Sequence, residues 1–502
     1  MSISAAPILV APLTKTDKKV SNPKMRTFLA LTVVLSVASG VAQARGSLRS
    51  NVQLYPADGQ RGVNPDVQLK LIFSSPPSIG SSGKINVYDS EDSKLVDTLD
   101  LSIPFSPSPY GNGSTKANYT DTTKYQTNII GGLDFYFYPI IVRNNTATIY
   151  LHNNQLTYGR TYLVEIEPSV LKPANGSFSG FTLNQPWTFS TKAHGPGDGV
   201  TKVVVAADGS GDFNTVQGAI DWAPANPTRR INIYVEAGNY EELVFWQYKS
   251  NLTIRGQNRE KTIVGYPNNS AFNPPNRQGP SRRPAFSFRG VSDLQLSSFT
   301  INNYYTGQAE ALLVDGVRVV LDHISLSGAG DALTTYGTIY VVDSQLTGMG
   351  DTVLGYGSVY WLRSTIKSLS AVTWTRTVQG IHGNIFVDST IIGDGNSTFA
   401  RLPDNSGGVM DNWPYAEMVL INTRTDGIAA VGWGPVQGAP FDSSRVKFWE
   451  FNTTDLQGQS VDVSQRLNIS RQLTLPTDRQ IIEEYKNPVN VLGGWQPVVL
   501  KG

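Results

Sequence analysis

Two aspartates stand 20 residues apart in nearly the same setting, Asp331 closing Gly328-Ala329-Gly330-Asp331 and Asp351 closing Gly348-Met349-Gly350-Asp351. Two carboxylates held close together cannot both ionise comfortably, so one keeps its proton while the other stays charged. The product is a proton donor beside a nucleophile, which is equipment for cleaving an ester or a glycoside. Taken singly, each aspartate fits an ordinary turn cap, where Asp is common. Whether the two meet depends on the chain around them.

That chain repeats. Gly316–Gly328 (GVRVVLDHISLSG), Gly337–Gly348 (GTIYVVDSQLTG) and Gly357–Ser368 (GSVYWLRSTIKS) each open on glycine, run through β-branched and aromatic residues, turn at a polar spot and resume briefly. The opening glycines are offset by 21 and then 20 residues, with related openings at Gly290 and Gly383. Short strands and polar turns at this period, without a helical pattern or an L-x-x-L-x-L signature, point to a parallel β-helix. Equivalent residues of successive turns then stack at about 4.8 Å. Asp331 and Asp351 become neighbours on one face.

The remaining properties bound the class. The 502 residues carry 41 basic and 40 acidic side chains, a balance that argues against a polyanion-binding surface. With 47 glycines and few long helical patterns, the composition suits a turn-rich all-β protein. Arg26, the apolar run Phe28 to Ala42 and the small-residue pattern Ala42-Gln43-Ala44 read as an export signal, so residues 1–44 are expected to be a leader with an N-terminal extension. The absence of cysteine excludes disulfides. Nine N-x-S/T sequons, among them Asn112, Asn144, Asn251, Asn396 and Asn452, would permit glycosylation on a secretory route. The expected location is extracellular.

Two domains follow. Residues 50–192 read as a small Ig-like β-sandwich, with Val67, Leu69, Leu71 and Phe73 alternating with polar residues, as do Tyr162, Val164 and Ile166. Residues 103–140 do not fit that pattern and read as an insertion. Ala193 to Gly199 reads as a linker. The second domain, 200–500, begins at Val203 to Phe213. A short helix follows, with Val216, Ala219 and Ile220 on one face, suited to covering the open end of the first coil.

These segments, with Ile233 to Tyr240, Gly307-Gln308-Ala309-Glu310-Ala311-Leu312 and the two Gly-x-Gly-Asp turns, resemble the pectin methylesterases (carbohydrate esterase family 8), in order from about 200 to 440. The resemblance implies a right-handed parallel β-helix that removes methyl esters from pectin, methylated polygalacturonate, without metal or cofactor. It also implies a monomer with no nucleic-acid partner and no membrane contact once the leader is removed. Carried over, Asp351 matches the nucleophile, Asp331 the acid/base and Gln308 an oxyanion donor. Arg401, in Phe399-Ala400-Arg401-Leu402-Pro403, matches the arginine that holds the nucleophile. Tyr304, Tyr305, Trp374 and Trp413 are expected to stack on sugar rings, as aromatics that could equally fill a core. Two departures stand out: Gly330 replaces the usual glutamine before the acid/base, and Leu402-Pro403 follows the arginine in place of Pro-Trp. Trp413 or Trp433 is the candidate replacement ring.

Competing functions are narrower. Inverting glycosidases need carboxylates about 6.5–9.5 Å apart, wider than neighbouring coils allow. The Gly-His-Gly and Arg-Ile-Lys motifs of polygalacturonases are absent, as is the acidic cluster of a calcium-dependent lyase. His323 and His382 lack partners for a Ser-His or metal site and read as structural. A non-catalytic pectin-binding protein on an esterase scaffold stays open because of Gly330.

Overall fold

The computed structural model describes residues 48–49, 52–112, 123–275, 279–401, 413–434 and 443–501. The leader expected at 1–44 and the Leu402-Pro403 flank lie outside the described residues.

From Lys202 onward the sheets are parallel, and the chain winds as a β-helix. One wall is a long sheet containing Phe286–Ser297, Leu312–Asp322, Leu333–Val342, Ser358–Leu362, Asn384–Val387, Glu417–Ile421 and Lys447–Phe451. A second wall of eight strands includes Ser325–Ser327, Gln345–Gly348 and Thr365–Ser368. Apolar residues stack in register through the interior: Leu312 over Leu333 over Val353, and Ile301 over Leu326 over Leu346 over Ile366. All seven are buried. Such columns, rather than cross-links, hold the coil together.

The polar spot in each repeat makes the corner between the walls. His323, Asp343, Arg363, Asp388, Asn422 and Asn452 each follow a strand end in the left-handed backbone region. One αL residue turns the chain, and Asn and Asp bear that conformation better than most residues. Serines one position later form a ladder: the Ser344 N–H donates to Ser364 Oγ at 3.2 Å, and the Ser364 N–H to Ser389 Oγ at 3.1 Å. Corner backbone donors are thereby satisfied without water.

The helix Val216–Trp222 lies over the first coil, capped by the Thr215 hydroxyl, which accepts from the Gly218 N–H at 3.0 Å. Val216, Ala219 and Ile220 join the β-helix core, as their spacing requires, while Gln217 and Gly218 are buried as well. The buried Glu242 carboxylate takes the Val216 and Gln217 N–H groups at 2.8 and 2.9 Å.

Strands between Leu48 and Thr191 form two five-stranded sheets around a shared core that includes Leu69, Leu71, Ile85, Val164 and Trp187. Between two of these strands the chain leaves the sheets as the hairpin Thr127–Ile130 and Leu133–Tyr136. Its Ile130, Phe135 and Tyr136, with Tyr138, pack on Leu243, Phe245, Tyr266 and Phe272 of the β-helix. Tyr136 and Asn273 exchange two hydrogen bonds, at 2.7 and 3.0 Å, and Tyr266 Oη accepts from the Tyr138 N–H at 2.9 Å. Asp66 joins the units at a second place, accepting from the Asn214 and Thr215 N–H groups at 2.9 and 2.8 Å. The region that fits no sandwich pattern thus supplies one of the two docking points, and Asp66 of the sandwich the other.

On the outer face of the long wall, Glu417 is buried among the His382 ring at 3.0 Å, Lys447 Nζ at 2.9 Å and the Tyr485 hydroxyl. Burial alone would raise its pKa, but the His382 hydrogen bond and charge, with Lys447, bring it down to about 2 from 4.5. A depressed carboxylate contributes stability that is present above its unfolded pKa and lost as pH falls through its folded one. Glu417→Gln should therefore be less stable than the parent at pH 7, by about 3 kcal/mol for a broken buried pair. The gap should narrow as pH falls from about 4.5 towards 2, which urea unfolding across that range would measure. A gap independent of pH would mean that packing, not charge, is what the residue supplies.

Candidate active site

The coil places Gln308, Gly330 and Gly350 in one backbone column, bridged in parallel across three successive turns. Asp331 and Asp351 follow directly, and the Asp331 N–H donates to the Gly350 carbonyl at 3.3 Å. Each aspartate occupies the left-handed region, φ 58° and 44°, before its chain enters the strands Leu333–Val342 and Val353–Gly355. An aspartate tolerates that turn, which explains the residue type locally. The register explains why two of them meet.

Their surroundings differ. Asp351 is one-fifth exposed, and Arg401 grips it with two bonds, Nε donating to Oδ1 at 2.7 Å and Nη2 to Oδ2. A bidentate guanidinium orients both carboxylate oxygens. Arg401 reaches there because Ala400–Arg401 pairs with Thr373–Thr375, two turns beyond Asp351. Asp331 is almost buried, with 6% of its side chain exposed. Its pKa is raised above the usual carboxylate value, first by burial and then by the Asp351 charge, while Arg283, 3.1 Å away, pulls the other way. Burial and the Asp351 charge thus favour the protonated form of Asp331, on the same face on which Arg401 holds Asp351.

Gln308 is half-buried, on the coil before Asp331. At Gly330 the departure from glutamine has a steric cause. The Gly330 N–H bonds the Gly307 carbonyl at 2.8 Å, and a Cβ there would lie 2.9 Å from that same oxygen. The backbones approach too closely for a side chain.

The aromatics divide. Trp413 stands edge-on to Tyr356 at 6.3 Å, and Tyr356 stacks on Tyr336 at 4.8 Å. Arg376 links this wall to the aspartates, lying 5.0 Å over the Tyr356 ring and interacting with both Asp331 and Asp351. Trp374 carries two guanidiniums, Arg376 at 3.5 Å and Arg401 at 4.1 Å from its ring centre, so it backs the arginine that grips Asp351. Tyr304 is half-exposed beside Arg143. Tyr305 packs edge-on to Phe272, its hydroxyl meeting that of Tyr138, and so helps to lock the two units together. Trp433, the other candidate ring, is corrected outright: it is fully buried and stacked on Phe448 at 4.6 Å, a core residue.

Sequence reasoning missed Arg283, Glu310, Arg376, Tyr336 and Tyr356. The tyrosines had a signal, because they repeat at the same 20-residue interval as the aspartates. Arg283 and Arg376 had none; each is an isolated arginine until the fold turns it inward. Burial lowers Arg376 to about 10, with Asp331 opposing, so it still stays cationic at neutral pH.

Comparison with known proteins follows this geometry. Pectinesterase 4 of Arabidopsis thaliana is 31% identical over 134 residues, 26% of this chain and 23% of that protein. The probable pectinesterase/pectinesterase inhibitor 19 of the same plant is 33% identical over 135 residues, 27% and 25% of the two chains. The chain thus spans about a quarter of the length of these relatives. Among solved structures, the pectin methylesterase PemA from Erwinia chrysanthemi aligns with TM-score 0.48 and 19% identity, over 60% of this chain and 98% of its own. The pectinesterase family model matches residues 202–481, more than half of the sequence, and the chain belongs to that family.

Proposed function

We propose that this protein hydrolyses the methyl esters of pectin, releasing methanol and leaving the polymer backbone intact. The observation that carries the reading is the asymmetric pair, Asp351 clamped by Arg401 beside the buried Asp331. Asp351 attacks the ester carbonyl carbon, and the amide of Gln308 donates to the oxyanion. The carbon–methoxy bond then breaks, and Asp331 gives its proton to the departing oxygen as methanol. Water next loses a proton to Asp331 and adds its oxygen to the acyl carbon of the mixed anhydride. Asp351 departs as carboxylate, and the product acid is free. Trp413 and the Tyr336–Tyr356 stack are the rings available to stack on the sugars of the substrate.

On this reading the protein acts outside the cell, as the leader pattern within residues 1–44 and the sequons suggest, and its two leading sheets are an Ig-like module carried with the enzyme. The test is methanol release from methylated pectin, with polymer length followed in parallel. Methanol without shortening supports the esterase; shortening, or no methanol, sinks it. Gln308→Ala should lower kcat by about 10²–10³-fold with KM little changed, as loss of one oxyanion donor does elsewhere. A variant that changed KM alone would place Gln308 in substrate binding instead.

A further inference from the structure

Arg283 and Glu310 belong to none of the roles above, yet Arg283 reaches the acid/base and Glu310 holds Arg283. Arg283 Nε donates to Glu310 Oε1 at 2.6 Å, while its Nη2 lies 3.1 Å from Asp331 Oδ2. One guanidinium is divided between two carboxylates. Glu310 is fully buried; its Oε1 also accepts from the Thr334 hydroxyl at 3.2 Å, and its Oε2 has no hydrogen-bond partner among the described residues. A buried carboxylate with an orphaned oxygen is an expensive way to fill a core, since apolar side chains of similar volume serve as well or better. The Arg283 side chain is 20% exposed, so this pair bridges the interior and the surface. No side chain from position 330 can share the task, because Gly307 fills that space.

Resting on the reading of Asp331 as acid/base, we propose that Arg283 and Glu310 are a positioning pair that orients the Asp331 carboxyl and sets how tightly it holds its proton. The groups facing Asp331 are Arg283, Asp351, Arg376 and Arg401, with Glu310 behind Arg283. Arg283 favours the charged form of Asp331. Glu310 opposes this twice, by competing for the guanidinium and by adding negative charge nearby; burial raises its own pKa to about 7, with Arg283 countering. The two residues thus pull the Asp331 proton in opposite directions.

That opposition is the test. The alkaline limb of kcat reports loss of the proton that Asp331 must donate. In the full-length protein acting on methylated pectin, Glu310→Gln should move this limb down by about one pH unit, and Arg283→Met should move it up by a similar amount. Arg283→Lys, which keeps the charge but not the fork, should fall between the parent and Arg283→Met. Near-ultraviolet circular dichroism checks that each variant is folded. If Arg283→Met does not fold, the downward limb of Glu310→Gln and the intermediate limb of Arg283→Lys decide the matter. Limbs that stay in place, that move together, or activity lost at every pH would overturn the pair. Asp331→Asn separates the two claims. An inactive Asp331→Asn with unmoved limbs defeats the pair alone, whereas a fully active one defeats the acid/base reading and the pair with it.

Discussion

Asp351→Asn is expected to lose methanol release by about 10⁴-fold or more, the scale on which enzymes respond to removal of a nucleophile. Asparagine keeps the shape of the side chain and tolerates the left-handed backbone at φ 44°, so the turn survives. It cannot form the acyl-enzyme. Asp351→Ala should be equally inactive but less stable, because alanine bears that φ poorly and leaves Arg401 with no acceptor, where asparagine keeps one amide oxygen. The comparison separates chemistry from folding: kcat should fall alike in both variants, and the unfolding midpoint should drop mainly in the second. Full turnover in either variant would remove Asp351 from the reaction.

Gly337→Ala should destabilise the protein by about 3 kcal/mol or more, one of the largest effects open to a single methyl group. Gly337 has φ +95°, and a Cβ there would lie 1.9 Å from the Gly316 carbonyl oxygen of the preceding coil. A backbone oxygen cannot step aside without breaking the ladder that joins the two turns. Gly395→Ala is the control, because its φ is similar at +104° but nothing lies within 4 Å of the new methyl. It should cost only the conformational strain, about 1 kcal/mol. Chemical unfolding of both variants would measure the difference, and equal losses would mean that contact between coils is not what the glycine serves.

The opening glycines were thus visible in the sequence for a physical reason: a repeat that stacks backbone on backbone must keep glycine wherever the stack is tightest. The same periodicity put Asp331 over Asp351, since a β-helix converts one repeat length into one strand spacing. Arg401 does not follow from the period. The chain between it and Asp351 holds a turn of longer repeat, so resemblance rather than spacing indicated it. The role of Arg283 and Glu310 depends on which way two side chains point inside a coil, which neither composition nor period encodes. The linker reading also missed its setting. Gly195 lies against the Tyr158 ring, Trp222 donates to the Pro196 carbonyl at 3.4 Å and Arg229 to the Gly199 carbonyl at 2.7 Å. A Gly/Pro-rich stretch looks free until partners from both sides close on it.

The docked hairpin makes the leading half a splint rather than a tethered arm. With Tyr136 and Asn273 joined by two hydrogen bonds and Asp66 fastened to the first turn of the capping helix, swinging the two sheets away from the coil would have to break both attachments. The aspartates therefore keep one setting relative to the leading sheets for as long as both attachments hold.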